Sequence, residues 1–193
     1  SKGCIQAGTA IIINRLNPPT DFVFANAAVT CSATTTTVTV TATNGVGALQ
    51  YETIAPSAII IAKQSANTFS GLTSGSYTFK VTDANGCYYT ELHTVDAVIP
   101  IAVVGNKVSD VLCNGGSTGS GTYTVSGNAT VGNYTFVLTS GTLVTGTLTK
   151  SNNTLTLSNV AVGTYTVEVT DSATQCKASA TIIITQPAAP LAV

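Results

Sequence analysis

The feature that most constrains this chain is internal repetition. GSYTFKVTDANGC at 75–87 recurs as GTYTVEVTDSATQC at 163–176, and a truncated copy, Lys2-Gly3-Cys4, opens the sequence. The stretch after that copy also recurs: TAIIINRLNP at 9–18 matches TIIITQP at 181–187. The period is roughly 80 to 90 residues, the size of one small sandwich domain and too long for a solenoid repeat. The boundaries that follow are residues 1–18 as the last strand of a preceding repeat or a donor strand, 19–99 as a first repeat, and 100–193 as a second. A chain that starts with the end of one repeat reads as a piece of a longer array.

Each repeat is strand-rich. Short alternating runs lie between Gly, Asn, Asp and Ser clusters, and no window carries the i, i+3, i+4, i+7 stripe of a helix. Strands are expected near 22–30, 35–43, 48–54, 58–63, 66–70, 75–82 and 88–95. In the second repeat they are expected near 101–111, 121–127, 133–140, 143–149, 153–157, 163–170 and 177–185. Seven strands per repeat is the count of an immunoglobulin-like sandwich. The fold class is therefore all-β, with tandem immunoglobulin-like (fibronectin III-like) β-sandwich repeats. Tyr77, Phe79 and Val81 fall on one face of a strand, and Thr78, Lys80 and Thr82 on the other. Tyr165, Val167 and Val169 repeat the pattern. Tyr77 and Tyr165 each stand just inside the sixth strand, where the hydroxyl of a tyrosine corner ties down the neighbouring loop.

The chain is 44% hydrophobic but only 8% charged, against a usual charged fraction of about 25%. Hydroxyls take the place of charge: about 35 residues are threonine, which suits pleated strands and keeps a polar group for the wet face. The formal net charge of -1 and the lack of a basic stretch argue against nucleic acid as a partner. The longest apolar runs are too short for a membrane-spanning helix, so no membrane insertion is expected. Prolines mark the junctions: Pro18 and Pro19, Pro100, then Pro187 and Pro190. Short proline-bearing joints predict a semi-rigid rod.

Five cysteines in such a chain predict disulfides and an oxidising compartment. Cys31 and Cys113 end a first strand; Cys4, Cys87 and Cys176 follow the turn between the sixth and seventh strands. Pairing within repeats would join Cys31 to Cys87 and Cys113 to Cys176. The first strand of a sandwich runs away from the pole that holds that turn, however. From Pro100 to Cys113 an extended chain covers about 40 Å, whereas a disulfide needs Cα atoms within about 7 Å. The topology therefore favours a staple between repeats, Cys31 with Cys176, with pairing inside repeats as the alternative. Cys4, Cys87 and Cys113 would then pair with other repeats.

Catalytic signatures are missing. The acidic residues are scattered singly, with no recurrent pair for acid–base work. Asp83 and Asp171 recur at the same turn, where an aspartate bonds its own backbone; calcium would need more oxygens than the sequence places nearby. His93 has no counterpart in the second repeat and reads as a solvated strand residue. No serine sits in a G-x-S-x-G elbow. Asn114-Gly-Gly-Ser-Thr-Gly119 opens no helix and so lacks a phosphate cradle's context. The sequence thus predicts no enzyme, no metal and no cofactor.

VLCNGGSTG at 111–119 resembles the opening of the SprB-type repeat, and GTYTVEVTD at 163–171 through Cys176, with IIITQP at 182–187, resembles its close. Such repeats occur in very large cell-surface adhesins of gliding Bacteroidetes. The resemblance covers the second repeat well. The first keeps VTDANGC at 81–87 but has Cys31-Ser-Ala-Thr in place of the Cys-Asn-Gly-Gly turn. The resemblance implies type IX secretion, display on the outer surface, and adhesion or gliding without enzymatic activity. Asp171-Ser172-Ala173 resembles the O-glycosylation acceptor of that phylum, which makes Ser172 a candidate site.

The function expected is a structural stalk segment of a secreted, cell-surface tandem-repeat adhesin or filament. Its partners would be neighbouring repeats or copies of the same chain. Two alternatives stand beside it. One is a filament subunit joined by strand donation through residues 1–18. The other is a polysaccharide-binding surface module, for which Tyr88 and Tyr89 are the candidate aromatics. The threonine-rich strand 35–43 would also suit a flat surface such as ice, if other strands extended it into an array.

Overall fold

The computed structural model describes residues 16–128 and 130–189. Cys4, Pro190 and all of the segment 1–18 except its last three residues lie outside the described residues. All thirteen elements among the described residues are strands. They are β1 (Asp21–Ala25), β2 (Thr36–Thr43), β3 (Gln50–Ala55), β4 (Thr68–Leu72), β5 (Gly75–Thr82), β6 (Tyr88–Val95) and β7 (Ala102–Ser109), followed by β8 (Gly119–Ser126), β9 (Tyr134–Ser140), β10 (Thr147–Ser151), β11 (Thr154–Val160), β12 (Gly163–Asp171) and β13 (Lys177–Ile184).

The strands form four sheets, two in each repeat: β1-β2-β4 and β3-β5-β6, then β10-β11-β8-β7 and β13-β12-β9. In the second repeat the first, second, fifth and fourth strands share one sheet, and the third, sixth and seventh share the other. That is the strand order of a constant-type immunoglobulin sandwich. The first repeat has the same order without the fourth strand. The fold is therefore all-β and immunoglobulin-like.

The expected strand at 58–63 is absent. This region meets β3 through one isolated bridge, Tyr51 with Gln64, and one further backbone bond, from the Thr53 N–H to the Ile61 carbonyl at 3.1 Å. The Thr53 hydroxyl accepts the Ile61 N–H at 2.6 Å and donates to the Ile59 carbonyl at 3.0 Å. A side chain thus takes bonds that a ladder would need. Just before it, Pro56 offers no N–H at all.

By contacts the chain forms two compact units. Among the described residues, one holds those up to Ala27, Thr37–Leu72 and Ser76–Thr94; the other holds Ala28–Thr36, Thr73–Gly75 and those from Val95 on. Within the second unit a covalent bond and a hydrogen bond tie the segment around Cys31 to the Cys176 turn.

In the first unit, aromatic rings from facing sheets meet. Phe69 of β4 lies edge-on to Phe79 of β5 at 4.9 Å, and Phe24 of β1 is 5.5 Å from the same ring. Such pairs add about 0.5–1.5 kcal/mol beyond the area they bury. In the second unit Tyr123, Val125, Leu155 and Leu157 from one sheet pack with Tyr165, Val167, Val169, Ile182 and Ile184 from the other. These are alternate residues along each strand, so period-two patterning sorts them into the core. The Tyr123 hydroxyl donates across the sandwich to the Tyr165 carbonyl at 2.7 Å. Burial first, then the nearby Tyr165, pushes the Tyr123 phenol up to about 12.

Glycine sets how closely the two sheets approach. A Cβ on Gly121 would lie 2.8 Å from Ile182 Cδ1 and 3.0 Å from the Asn106 carbonyl; one on Gly119 would lie 2.5 Å from Ile184 Cγ2. Gly121→Val should therefore overpack this core and cost the second unit about 1 to 3 kcal/mol, read as a lower urea midpoint. An unchanged midpoint would show that β13 can move away freely.

Candidate functional site

The chemistry-bearing residues gather at the turn between β12 and β13. Asp171 is buried, and its Oδ1 accepts the Ala173 N–H at 2.9 Å, the Thr174 N–H at 2.6 Å and the Thr174 hydroxyl at 3.0 Å. Its own N–H donates to the Cys176 carbonyl at 2.9 Å. Burial pushes the Asp171 carboxyl up, but the bonds from Thr174 and Ala173 together outweigh it and hold the carboxyl below its ordinary value. Asp171 Oδ2 is buried with no hydrogen-bond partner.

Asp83 organises the matching turn between β5 and β6. Its Oδ1 accepts the Asn85 and Cys87 N–H groups, both at 2.9 Å, and its Oδ2 accepts the Val46 N–H at 3.3 Å. Both aspartates thus bond their own turns. In each turn the residue before the cysteine is left-handed: Gly86 at φ 83° and Gln175 at φ 59°.

Cys31 is joined to Cys176 by a disulfide, with Cα atoms 5.0 Å apart and a sequence separation of 145. The Cys31 N–H donates to the Thr174 carbonyl at 3.0 Å. In sequence the bond joins one repeat to the next, although both cysteines fall in the second compact unit. Neither within-repeat bond forms: Cys87 is a half-buried free thiol and Cys113 an exposed one. Closing so long a loop removes denatured-chain entropy worth about 5 kcal/mol in the chain-entropy model. Beside the disulfide, Ala28, Val29, Ala97, Val98, Ile99 and Thr174 help line an apolar recess of about 310 Å³.

The Cys113-Asn-Gly-Gly116 segment is a tight turn. The Gly116 N–H donates to the Cys113 carbonyl at 2.9 Å, and Gly115 has φ 76°. A positive φ at the third residue makes this a type II turn, which needs glycine there. Cys31-Ser-Ala-Thr has no glycine and bends differently, with the Thr30 N–H donating to the Ala33 carbonyl at 2.8 Å. The glycine turn is tied to the end of the repeat. Asn114 Nδ2 donates to the Pro187 carbonyl and the Gly115 N–H to Gln186 Oε1, both at 2.9 Å. Next to it Asp110 accepts from Lys107 Nζ and from the Thr185 N–H, each at 2.7 Å. The Lys107 ammonium first, then the Thr185 N–H, lowers the Asp110 carboxyl from 3.8 to about 2.

The other residues singled out in the sequence fall in separate places. The Tyr165 hydroxyl donates to the Ala161 carbonyl, four residues upstream, at 3.0 Å, the bond of a tyrosine corner. Tyr77 is fully buried. Ser172 is exposed on the Asp171 turn, where its carbonyl accepts from Gln175 Nε2. His93 is not simply solvated. It stacks on Phe24 at 4.3 Å, with Nε2 2.9 Å from Asn26 Oδ1. Tyr88 and Tyr89 do not make one platform, because neighbours on a strand face opposite ways. Tyr88 is exposed beneath Lys80, and Tyr89 packs edge-on to Phe22. Among the described residues no three His, Cys, Asp or Glu side chains cluster as a metal site would require.

One surface emerges only in three dimensions. On β10, β11 and β8 the outward residues Thr147, Thr149 and Ser151, Thr154, Thr156 and Ser158, and Ser120, Thr122, Thr124 and Ser126 all carry hydroxyls. Register aligns them in rows: Thr149 with Thr156 and Thr122, and Ser151 with Thr154 and Thr124. The result is an uncharged hydroxyl grid with spacings of about 4.8 Å across strands and about 6.8 Å along them.

No protein-family model matches this chain, and no curated protein matches it. Several solved structures share its general form. The mouse nectin-like molecule 4 ectodomain is 13% identical, with a TM-score of 0.43 over 90% of this chain and 67% of that one. Domains 4–9 of the surface layer protein SbsC are 18% identical, with a TM-score of 0.38 over 89% and 31%. Three N-terminal domains of the Hoc outer capsid protein of bacteriophage RB49 are 15% identical, with a TM-score of 0.47 over 86% and 59%. The chain thus spans less than two thirds of the SbsC and Hoc chains. At these values the fold rests on the strand order described above.

The Asp110 clamp generates a pH dependence. Its folded carboxyl is depressed, so the clamp contributes fully above 3.8 and is lost as pH falls through about 2. Hydrogen exchange at the Thr185 amide should show protection falling across that interval. Asp110→Asn should lower protection at neutral pH and remove the acid step. A wild-type amide equally protected at both ends would contradict the assignment.

Proposed function

We propose that this chain is a structural stalk segment of a secreted, cell-surface tandem-repeat adhesin or filament of the SprB-repeat kind, serving adhesion or gliding. The observation that carries this reading is the Cys31–Cys176 bond, which spans two successive sequence repeats. A cross-link between repeats serves a chain that bears tension, since it removes most of the polypeptide from extension. It also fits an oxidising compartment. The low charge and the hydroxylated faces agree with a mechanical role. The bonds from Asn114 and Gly115 to Pro187 and Gln186 give a physical reason for the two ends of the SprB-like pattern to occur together.

Pulling the chain from its ends tests the mechanical part. With the bond intact the loop between the cysteines, a sequence separation of 145, stays out of the load path. Reduction should add about 500 Å of contour length. Equal extension before and after reductant would remove the mechanical argument. Location is tested with an antibody to residues 100–193 on intact cells and on a reducing denaturing gel. Surface label with a band of hundreds of kilodaltons is the expected result. A surface-labelled band near 19.5 kDa would instead select the self-assembling subunit, and label found only inside cells would overturn the stalk.

The hydroxyl grid on β10, β11 and β8 favours a second reading, a face that grips neutral polysaccharide. Thr122→Lys with Thr156→Lys would put charge in the middle of that face. Loss of retention on an insoluble neutral glucan, with unchanged thermal stability, would support it.

A further inference from the structure

The two free thiols occupy the same kinds of position as the two halves of the bond that has formed. Cys31 lies in the connection after the first strand of its repeat, and Cys113 lies in the corresponding connection after β7. Cys176 closes an aspartate-anchored turn, and Cys87 closes its counterpart. The two turns share their construction. The Asp83 N–H donates to the Cys87 carbonyl and the Asp171 N–H to the Cys176 carbonyl, each at 2.9 Å. A left-handed residue precedes each cysteine. Among the described residues there is therefore one complete bond between a first connection and a sixth-to-seventh turn, together with one unused half of each kind.

We infer that Cys113 of one copy forms with Cys87 of a second copy the same link that Cys31 forms with Cys176. The Cys31 N–H rests on the carbonyl two residues before Cys176; the matching acceptor for Cys113 is the Asn85 carbonyl of the second copy. Through Cys113 and Cys87 each copy offers one half of each kind. The contact is head-to-tail, and successive copies build an open filament instead of a closed dimer. The inference rests on the filament form of the proposed reading, in which the units are separate copies, and gives it an assembly chemistry.

Thiol–disulfide exchange with a small disulfide such as oxidised glutathione drives the reaction. The Cys113 thiolate attacks one glutathione sulfur, the glutathione S–S bond breaks, and one glutathione thiolate leaves. The Cys87 thiolate of the second copy then attacks the Cys113 sulfur and displaces the second glutathione. Two protein thiols lose two electrons and two protons, and one small disulfide becomes two thiols.

The test uses the full chain carrying Cys4→Ser, so that a third thiol does not compete, oxidised in a glutathione buffer. A non-reducing gel should show a ladder of dimers, trimers and longer species that reductant collapses. Peptide mapping should find Cys87–Cys113 as the dominant inter-chain bond. Adding Cys87→Ser or Cys113→Ser should abolish the ladder beyond dimer, and the Cys31–Cys176 peptide in each variant verifies folding. A chain that stays monomeric while Cys31–Cys176 forms would overturn the inference. So would predominant Cys113–Cys113 pairing, the product of mere exposure, or a ladder that survives either substitution. Failure here leaves surface location untouched, whereas intracellular label with an intact ladder would sink the stalk alone.

Discussion

Everything in this protein depends on strict two-residue alternation along its strands. In β12, Tyr165, Val167 and Val169 are buried while Thr164, Thr166 and Glu168 face away from the core. The same rule places Leu155 and Leu157 inside and Thr154 and Thr156 outside. A chain with so few charges has one other means of keeping a wet face, the hydroxyl. Threonine supplies that group and the β-branching that favours the strand. Composition and fold are thus two sides of one constraint. The glycines of β8 belong to it as well, since they admit Ile182 and Ile184 at a distance a side chain would prevent.

Outside the sheets, single polar side chains fix the connections. Asp83 and Asp171 satisfy their turns' N–H groups with one carboxylate each, as turn geometry favours. Their second oxygens differ. Asp83 Oδ2 receives the Val46 N–H, whereas Asp171 Oδ2 has no partner. The Cys176 turn therefore carries an unsatisfied buried carboxylate oxygen, whereas both oxygens of the Asp83 carboxylate are bonded. Asp110 and Asn114 perform a similar task at the other connection, where they bind the end of the repeat to its beginning.

These devices suit a material role. Side-chain chemistry is spent on positioning backbone, and the reactive groups that stay unused are thiols. The hydroxyl grid is the exception, a regular outward surface tied to the neighbouring strand at Ser120, whose hydroxyl lies 2.8 Å from that of Ser109.

Much of the fold could be read from the order of residues. Alternation at 75–82 and 163–170 marked β5 and β12, and the seven-strand count pointed to the sandwich. Residues 58–63 show where local pattern stops being informative. Their apolar run suits a strand, but the Thr53 hydroxyl, remote in the pattern and near in space, takes the bond a strand needs. His93 is similar, since nothing in its neighbours announces the Phe24 ring it stacks on. The hydroxyl rows could not be foreseen either, because inter-strand register is set by bonds between segments distant in sequence. By itself the sequence determined the all-β class, the repeat and the aspartate turns, because these follow from local periodicity and short-range hydrogen bonding. The tertiary structure decided between the two cysteine pairings that the sequence left open, and it alone decided which glycines are crowded and which threonines line up, because each depends on where distant strands are brought together.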